Sequence, residues 1–190
     1  MICFKLFKIK IYIWFSFFAI ISLLLVLSRN DLIILGVFAG IIHEMGHITA
    51  FLIKGYPPRE IHLEYSGIRL VPERRVFCIK DESLFLISGS AMNVICFIIF
   101  YKLFKLWAYI HLVLGIFNLL PIKSLDGGQL TEIIMQKLLG VKKGIIVSNI
   151  IFVVFGIFIV ISGIFLFFKT GNFTLLLTVM HLLFLNIFAK

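Results

Sequence analysis

The chain has 190 residues, of which 62% are hydrophobic and only 14% are charged. A water-soluble domain of this size carries about 25% charged and about 45–50% apolar residues, so the composition excludes an ordinary soluble globule. The excess of 18 Lys and Arg over 9 Asp and Glu does not require a nucleic-acid partner, because basic loops also orient membrane proteins. We predict one integral membrane domain spanning residues 1–190.

Six apolar stretches follow one another and predict an all-α polytopic membrane protein with about six transmembrane helices. They are Ile11–Ser28, Leu32–Ile53, Ser83–Tyr101, Leu106–Leu120, Gly144–Phe168 and Asn172–Ala189. The first stretch has no small-residue cleavage site after it, so we interpret it as a retained helix and not as a signal peptide. The fourth is shorter than the roughly 17–25 residues of a span, which tilt or local thinning of the bilayer can accommodate.

The basic residues predict the orientation of these helices. With the N-terminus in the cytoplasm, the outer side carries only four of the 18 basic residues, namely Arg29, Lys102, Lys105 and Lys169. The other fourteen face the cytoplasm, as the positive-inside rule requires. We therefore expect a multi-pass protein of a bacterial cell membrane with both termini in the cytoplasm and basic loops against the lipid bilayer.

Two cytoplasmic segments are polar enough to leave the membrane. In the first, Ile61–Tyr65 alternates apolar and polar residues, Ser66-Gly67 signals a turn, and Ile68–Val71 returns. This pattern predicts a small β-hairpin between the second and third helices. In the second, residues 126–128 predict a backbone break, and Leu130–Leu139 predicts a short amphipathic helix along the membrane interface.

An H-E-x-x-H motif, His43–His47, lies in the middle of the second apolar stretch. On a helix, His43 and His47 face the same way and can share one Zn²⁺, while Glu44 between them can take a proton from water on that metal. A carboxylate at the bilayer centre costs at least ~2.5 kcal/mol, so these residues predict a compensating ion or partner. The structural alternative is a hydrogen-bonded cluster that joins helices.

A zinc protease needs a third protein ligand and an open position for water. The chain has three aspartates. Asp31 is expected on the outer side of the membrane and Asp81 at the end of a loop. Asp126 follows the fourth apolar stretch, on the cytoplasmic side, where the second predicted helix also ends. Glu132 stays open as an alternative third ligand. The remaining histidines lack partners at ligand spacing and are expected to form structural hydrogen bonds: His62, His111 and His181.

The H-E-x-x-H motif, followed two helices later by N-L-L-P-I-K-S-L-D-G-G at 118–128, resembles the site-2 protease family of intramembrane metalloproteases. The layout is similar in particular to the branch of stage IV sporulation protein FB, and the resemblance covers essentially the whole chain. It implies His43, His47 and Asp126 as Zn²⁺ ligands and Glu44 as the catalytic base. Residues 89–93 are similar to the family's G-x-x-x-N element, which implies that Asn93 holds the substrate backbone or the oxyanion, with helix packing as the alternative.

Two features depart from this family pattern. Lys123-Ser124 occupies positions where the family often has proline or small apolar residues, which alters the approach to the site. The chain stops at Lys190, so we expect no C-terminal nucleotide-sensing (CBS) domain of the kind that sporulation relatives often carry.

The resemblance implies regulated intramembrane proteolysis of membrane-tethered or transmembrane proteins, such as a sigma-factor precursor or an anti-sigma factor. A helical substrate must unwind first, and an exposed edge of Ile61–Val71 is expected to pair with it as an added strand. Two alternatives stay open: an inactive relative that binds membrane partners, and a transporter that handles metal ions.

Overall fold

The computed structural model describes residues 1–6, 9–19, 22, 32–64, 67–72 and 76–170. The elements in chain order are β1 (Ile2–Leu6), β2 (Ile9–Ile13), α1 (Leu32–Ile53), β3 (Pro58–Glu64), β4 (Gly67–Pro72), α2 (Ile79–Phe100), α3 (Lys105–Asn118), α4 (Asp126–Leu139) and α5 (Val141–Thr170). The chain divides into two compact units, Met1–Phe117 and Asn118–Lys190. The single functional domain over residues 1–190 stays a prediction.

Three of the described helices are long and apolar enough to cross a membrane: Leu32–Ile53, Ile79–Phe100 and Val141–Lys169. They coincide with, or nearly enclose, the second, third and fifth predicted stretches. α3 has 14 residues, or about 21 Å of helix, which is short against a hydrocarbon core of about 30 Å. Much of the first predicted stretch and all of Asn172–Ala189 lie outside the described residues, so six spans stay a prediction.

A four-stranded sheet in the order β1-β2-β3-β4 belongs to the first unit. β1 and β2 form an antiparallel hairpin, and β2 then pairs in parallel with β3, so that Ile11 lies opposite Ile61. β3 and β4 form the antiparallel hairpin that the sequence predicted, with Leu63 opposite Ile68. The side of the membrane on which this hairpin lies stays a prediction.

The N-terminal strands correct the predicted all-α architecture. The first helix was expected to begin at Ile11, but Ile9–Ile13 is a strand and helical conformation starts only at residue 15. The reason is local: the β-branched residues Ile9, Ile11 and Ile13 alternate with Lys10 and Tyr12, and this period of two favours a strand. The predicted helix from Ile11 rested on the number of apolar residues and not on their alternation with polar ones.

The sheet also shows which strand of the predicted hairpin has an unpaired edge. β3 pairs with β2 on one side and with β4 on the other, so its two edges are both occupied. Among the described strands the sheet ends at β1 and β4. A strand added to this sheet on the hairpin side therefore pairs with β4.

Close backbone contact joins α1 to α2. A Cβ atom built on Gly46 would lie 2.6 Å from the carbonyl oxygen of Ser88 and 2.9 Å from Cβ of Met92. Such distances are shorter than real side chains tolerate, so glycine at this position lets the two helices approach. Gly46 is itself part of the histidine motif on α1.

The same two helices are also joined near the end of α1. The rings of Phe51 and Phe85 stack with centroids 4.0 Å apart. Just beyond, Nζ of Lys54 lies 2.6 Å from a carboxylate oxygen of Asp81. The hydrogen bond to Asp81 raises the pKa of Lys54, so the lysine stays charged at neutral pH. The aromatic stack and the ion pair thus hold α1 against the start of α2.

In the second unit, α4 begins at Asp126, with Leu125 in extended conformation before it. The predicted break at residues 126–128 is therefore wrong: the turn precedes Asp126, and Leu125 N donates to Ile122 O at 2.8 Å. A Cβ on Gly127 would overlap the carbonyl of Leu119, and a Cβ on Gly128 would overlap that of Ile122. These glycines supply space for the turn, and the predicted interfacial helix Leu130–Leu139 lies within α4.

Candidate metal centre

The two histidines of the motif lie one turn apart on the same face of α1. His43 is 4% exposed and His47 is 8% exposed. Their Nε2 atoms lie only 3.2 Å from one another. Two nitrogens on a tetrahedral Zn²⁺, at about 2.0–2.1 Å each, are about 3.3 Å apart. The helix spacing thus brings both imidazoles to the separation that two ligands of one zinc ion require.

A backbone carbonyl determines which nitrogen of His47 carries the proton. Nδ1 of His47 lies 2.7 Å from the carbonyl oxygen of Phe85 on α2. A carbonyl oxygen only accepts, so Nδ1–H donates and Nε2 of the neutral ring presents its lone pair. Ser88 also donates from Oγ to the same oxygen at 2.6 Å. This arrangement is typical of metal-binding histidines, whose second nitrogen is held by a carbonyl or a carboxylate.

Gly89 leaves the space beside the paired nitrogens. A Cβ on this residue would lie 2.7 Å from both Cε1 and Nε2 of His43 and would overlap Nε2 of His47. The absence of a side chain is therefore a condition for the present positions of both rings. Sequence reasoning noted Gly89 as part of the G-x-x-x-N element but did not assign it this role, because the helix–helix register that creates the contact is not visible in the motif.

Asn93, one turn further along α2, is completely buried between two histidines. Its Nδ2 lies 3.1 Å from Nδ1 of His43, and its Oδ1 lies 3.1 Å from Nδ1 of His111 on α3. Both polar atoms of the amide are therefore engaged with imidazoles. The role predicted for Asn93, to hold substrate or oxyanion, stays a prediction, and these contacts favour a positioning role.

The other histidines fit the structural role that the sequence indicated, where they are described. His111 contacts Asn93, as above. His62 on β3 lies 3.2 Å from a carboxylate oxygen of Glu60 and stacks on Tyr12 with ring centroids 4.7 Å apart. His181 lies outside the described residues.

The carboxylates of the predicted site lie on two helices. Glu44 is half-buried on α1, between the two histidines in sequence. Asp126 is half-buried and is the first residue of α4 in the second unit, where the helix dipole favours a negative charge. Glu132, the alternative ligand, is on the same helix and accepts a hydrogen bond from Nε2 of Gln136 at 2.9 Å.

Two comparisons with known proteins bear on this site. Residues 86–162 match the model of peptidase family M50, a region that includes Asn93 and Asp126 but begins after the H-E-x-x-H motif. The solved structure of the site-2 protease from Methanocaldococcus jannaschii is similar with a TM-score of 0.68 and 22% sequence identity. The similarity covers 96% of this chain and 92% of that chain, and it shows a shared fold. No curated protein sequence matches the chain significantly.

Proposed function

We propose that this chain, whose family match and fold bear out the resemblance to site-2 proteases, is an intramembrane zinc endopeptidase. Its substrates are membrane-tethered or transmembrane proteins, cut within or near the bilayer. The observation that carries the proposal is the pair of buried histidines on a membrane-spanning helix, with Nε2 atoms 3.2 Å apart. Such a polar pair is costly in a membrane unless it binds an ion or reacts.

The proposed metal ligands are His43, His47 and Asp126. They offer two imidazole nitrogens and one carboxylate oxygen, a donor set that catalytic zinc sites use with a fourth position left for water. Lewis-acid activation of water and of the scissile carbonyl is the chemistry that Zn²⁺ supplies when bound. The carbonyl of Phe85 supports this assignment because it keeps the proton of His47 on the nitrogen away from His43.

Glu44 is the proposed general base. It occupies the position in the H-E-x-x-H motif whose glutamate acts as the general base in metalloproteases. In the proposed reaction Glu44 accepts the proton of the attacking water and then delivers it to the leaving amine. The half-buried position of Glu44 is consistent with access for water and with partial desolvation of the carboxylate.

A helical substrate hides its carbonyls in hydrogen bonds, so it must be extended before cleavage. β4 is the edge strand of the first unit next to the hairpin turn, and we propose that substrate pairs with it as an added strand. The candidate substrates stay those that the family resemblance implied, a sigma-factor precursor or an anti-sigma factor. The proposed location is a bacterial cell membrane with both termini in the cytoplasm.

The test compares the purified wild type with Glu44→Gln in detergent. Both proteins are expected to hold about one zinc per chain, because Glu44 is not a ligand, but only the wild type should cleave a membrane-tethered model substrate. A wild type that folds and binds no zinc would contradict the proposal. Cleavage by Glu44→Gln at the wild-type rate would remove Glu44 as the base, while zinc binding without cleavage of any substrate would favour the inactive relative.

A further inference from the structure

A chain of buried polar side chains runs across three helices of the first unit. It starts at His47 and His43 on α1, continues through Asn93 on α2 and ends at His111 on α3. The steps measure 3.2 Å between the two Nε2 atoms, 3.1 Å from His43 Nδ1 to the Asn93 amide, and 3.1 Å from that amide to His111 Nδ1. All four side chains are at most 8% exposed.

The hydrogen bonds of this buried network can all donate in one direction, from His111 through Asn93 and His43 to His47. His111 donates from Nδ1–H to Oδ1 of Asn93, and Asn93 donates from Nδ2–H to Nδ1 of His43. His43 then carries its proton on Nε2 and donates to Nε2 of His47. His47 donates from Nδ1–H to the carbonyl of Phe85. Each step pairs one donor with one acceptor.

This direction does not suit a metal ligand, because Nε2 of His43 must present a lone pair to an ion. The proton of His43 must then lie on Nδ1, which needs an acceptor in place of the Asn93 NH₂ group. An amide can supply it by rotating through 180° and exchanging Oδ1 for Nδ2. Nδ1 of His111 then accepts from Nδ2, and the proton of His111 moves to Nε2.

His111, at the other end of this hydrogen-bonded network, disfavours reversal of the Asn93 amide. Nε2 of His111 is buried and has no hydrogen-bond partner among the described residues. A proton placed there by the reversal would be a buried donor without an acceptor, which is unfavourable. His111 therefore favours the direction in which His43 is protonated on Nε2, and Asn93 is the residue that can turn in either sense.

We infer that Asn93 and His111 are positioning residues that determine which nitrogen of His43 is available to a metal ion. The inference rests on the proposed function, because it requires His43 to be a ligand. It differs from an oxyanion role, since neither polar atom of Asn93 needs to contact substrate. Partners of this kind typically change metal affinity by about 10- to 100-fold.

The experiment measures the affinity of the purified full chain for Co²⁺ and Zn²⁺ by competition with a chelator. Asn93→Leu removes the contact with His43, so we expect binding about 10- to 100-fold weaker than that of the wild type. Asn93→Asp replaces the amide by an acceptor that faces both histidines. Nδ1–H of His43 and Nδ1–H of His111 then both donate to it, so we expect an affinity equal to that of the wild type or higher.

The matched control is Ser90→Ala, one turn earlier on α2. Ser90 is 1% exposed and its Oγ has no hydrogen-bond partner among the described residues, so its loss should leave the affinity unchanged. The absorption spectrum of bound Co²⁺ reports the ligand geometry independently of any cleavage. If Asn93→Leu fails to fold, Asn93→Ala removes the same contact with a smaller side chain.

Three results would overturn the inference. They are wild-type affinity in Asn93→Leu, equal weakening in Asn93→Leu and Asn93→Asp, and a loss in Ser90→Ala as large as that in Asn93→Leu. Equal weakening in Asn93→Leu and Asn93→Asp would mean that metal affinity depends on the amide itself and not on the direction in which the residue at position 93 donates. A wild-type chain that binds no metal would instead contradict the proposed function, so the two failures are distinguishable.

Discussion

At the scale of single residues, hydrogen bonds and one glycine hold the imidazoles of His43 and His47 in place. The i,i+4 spacing brings the rings of His43 and His47 together, but Phe85 and Asn93 determine where their protons lie. Gly89 has no side chain, and a methyl group there would occupy the space of the imidazole rings of His43 and His47. For the proposed metal site, the residues that hold the two imidazoles are therefore expected to affect metal affinity.

Gly89→Ala should abolish metal binding without unfolding the protein. The added Cβ would force His43 and His47 apart, whereas alanine is the better helix former by about 1 kcal/mol. Bound zinc, measured by elemental analysis, is expected to fall well below one per chain. Gly40→Ala on α1 is the control, because a Cβ there meets nothing within 4 Å. Full zinc content in Gly89→Ala would show that the rings do not need this space.

A pair of carboxylate substitutions tests the third ligand. Asp126→Asn should lose zinc during dialysis, because a neutral amide is a poor zinc ligand. Glu132→Gln should keep zinc, since Glu132 is engaged with Gln136 on its own helix. Both changes remove one negative charge from α4, so each controls for the other. The reverse pattern would make Glu132 the third ligand in place of Asp126.

At the scale of elements, the four-stranded sheet determines which part of the hairpin is available to a partner. β3 is an inner strand, because β2 pairs with it in parallel, and β4 is an edge. The N-terminal hairpin thus occupies the position where a substrate strand would otherwise add to β3. Only an edge strand presents unpaired backbone groups to another chain.

A photo-crosslinking amino acid should capture substrate from β4 and not from β3. Arg69 on β4 and His62 on β3 lie opposite one another in the ladder, which makes them a matched pair. Because Arg69 is on the edge strand and exposed, the probe at Arg69 is expected to crosslink a membrane-tethered substrate in the inactive Glu44→Gln background. Stronger crosslinking from His62 than from Arg69 would argue against addition of substrate to β4.

At the scale of the whole molecule, the charge distribution predicts how the chain crosses the membrane. Three described helices can span a bilayer, and the bias of basic residues assigns the sides. We propose on this ground that both termini lie in the cytoplasm.

Labelling of single cysteines tests this topology. In a variant without Cys3, Cys78 and Cys96, a cysteine replacing Lys102 should react with a membrane-impermeant maleimide added outside intact cells. A cysteine replacing Lys142 should react only after the membrane is permeabilised, because the first turn of α5 is expected on the cytoplasmic side. Labelling of Lys142→Cys in intact cells would contradict the predicted orientation.

The sequence by itself determined what depends on local pattern and composition. Hydropathy indicated a membrane protein, the spacing of His43 and His47 predicted their convergence on α1, and alternation predicted the β3–β4 hairpin. These signals are local because helices and strands have fixed periods of 3.6 and 2 residues. The alternation of apolar and polar residues in Ile9–Ile13 also indicated a strand. The prediction instead assigned Ile11 to a membrane helix, because the apolar stretch Ile11–Ser28 is long enough to span a bilayer.

Only the tertiary structure decided which distant residues meet. The parallel pairing of β2 with β3, the approach of Gly89 to the two imidazoles and the chain from His43 through Asn93 to His111 join residues far apart in sequence. Such contacts depend on the register and separation of packed helices, which no single motif encodes. The two histidines of the motif are therefore visible in the sequence, whereas the contacts that hold their rings follow from the packing of α1, α2 and α3.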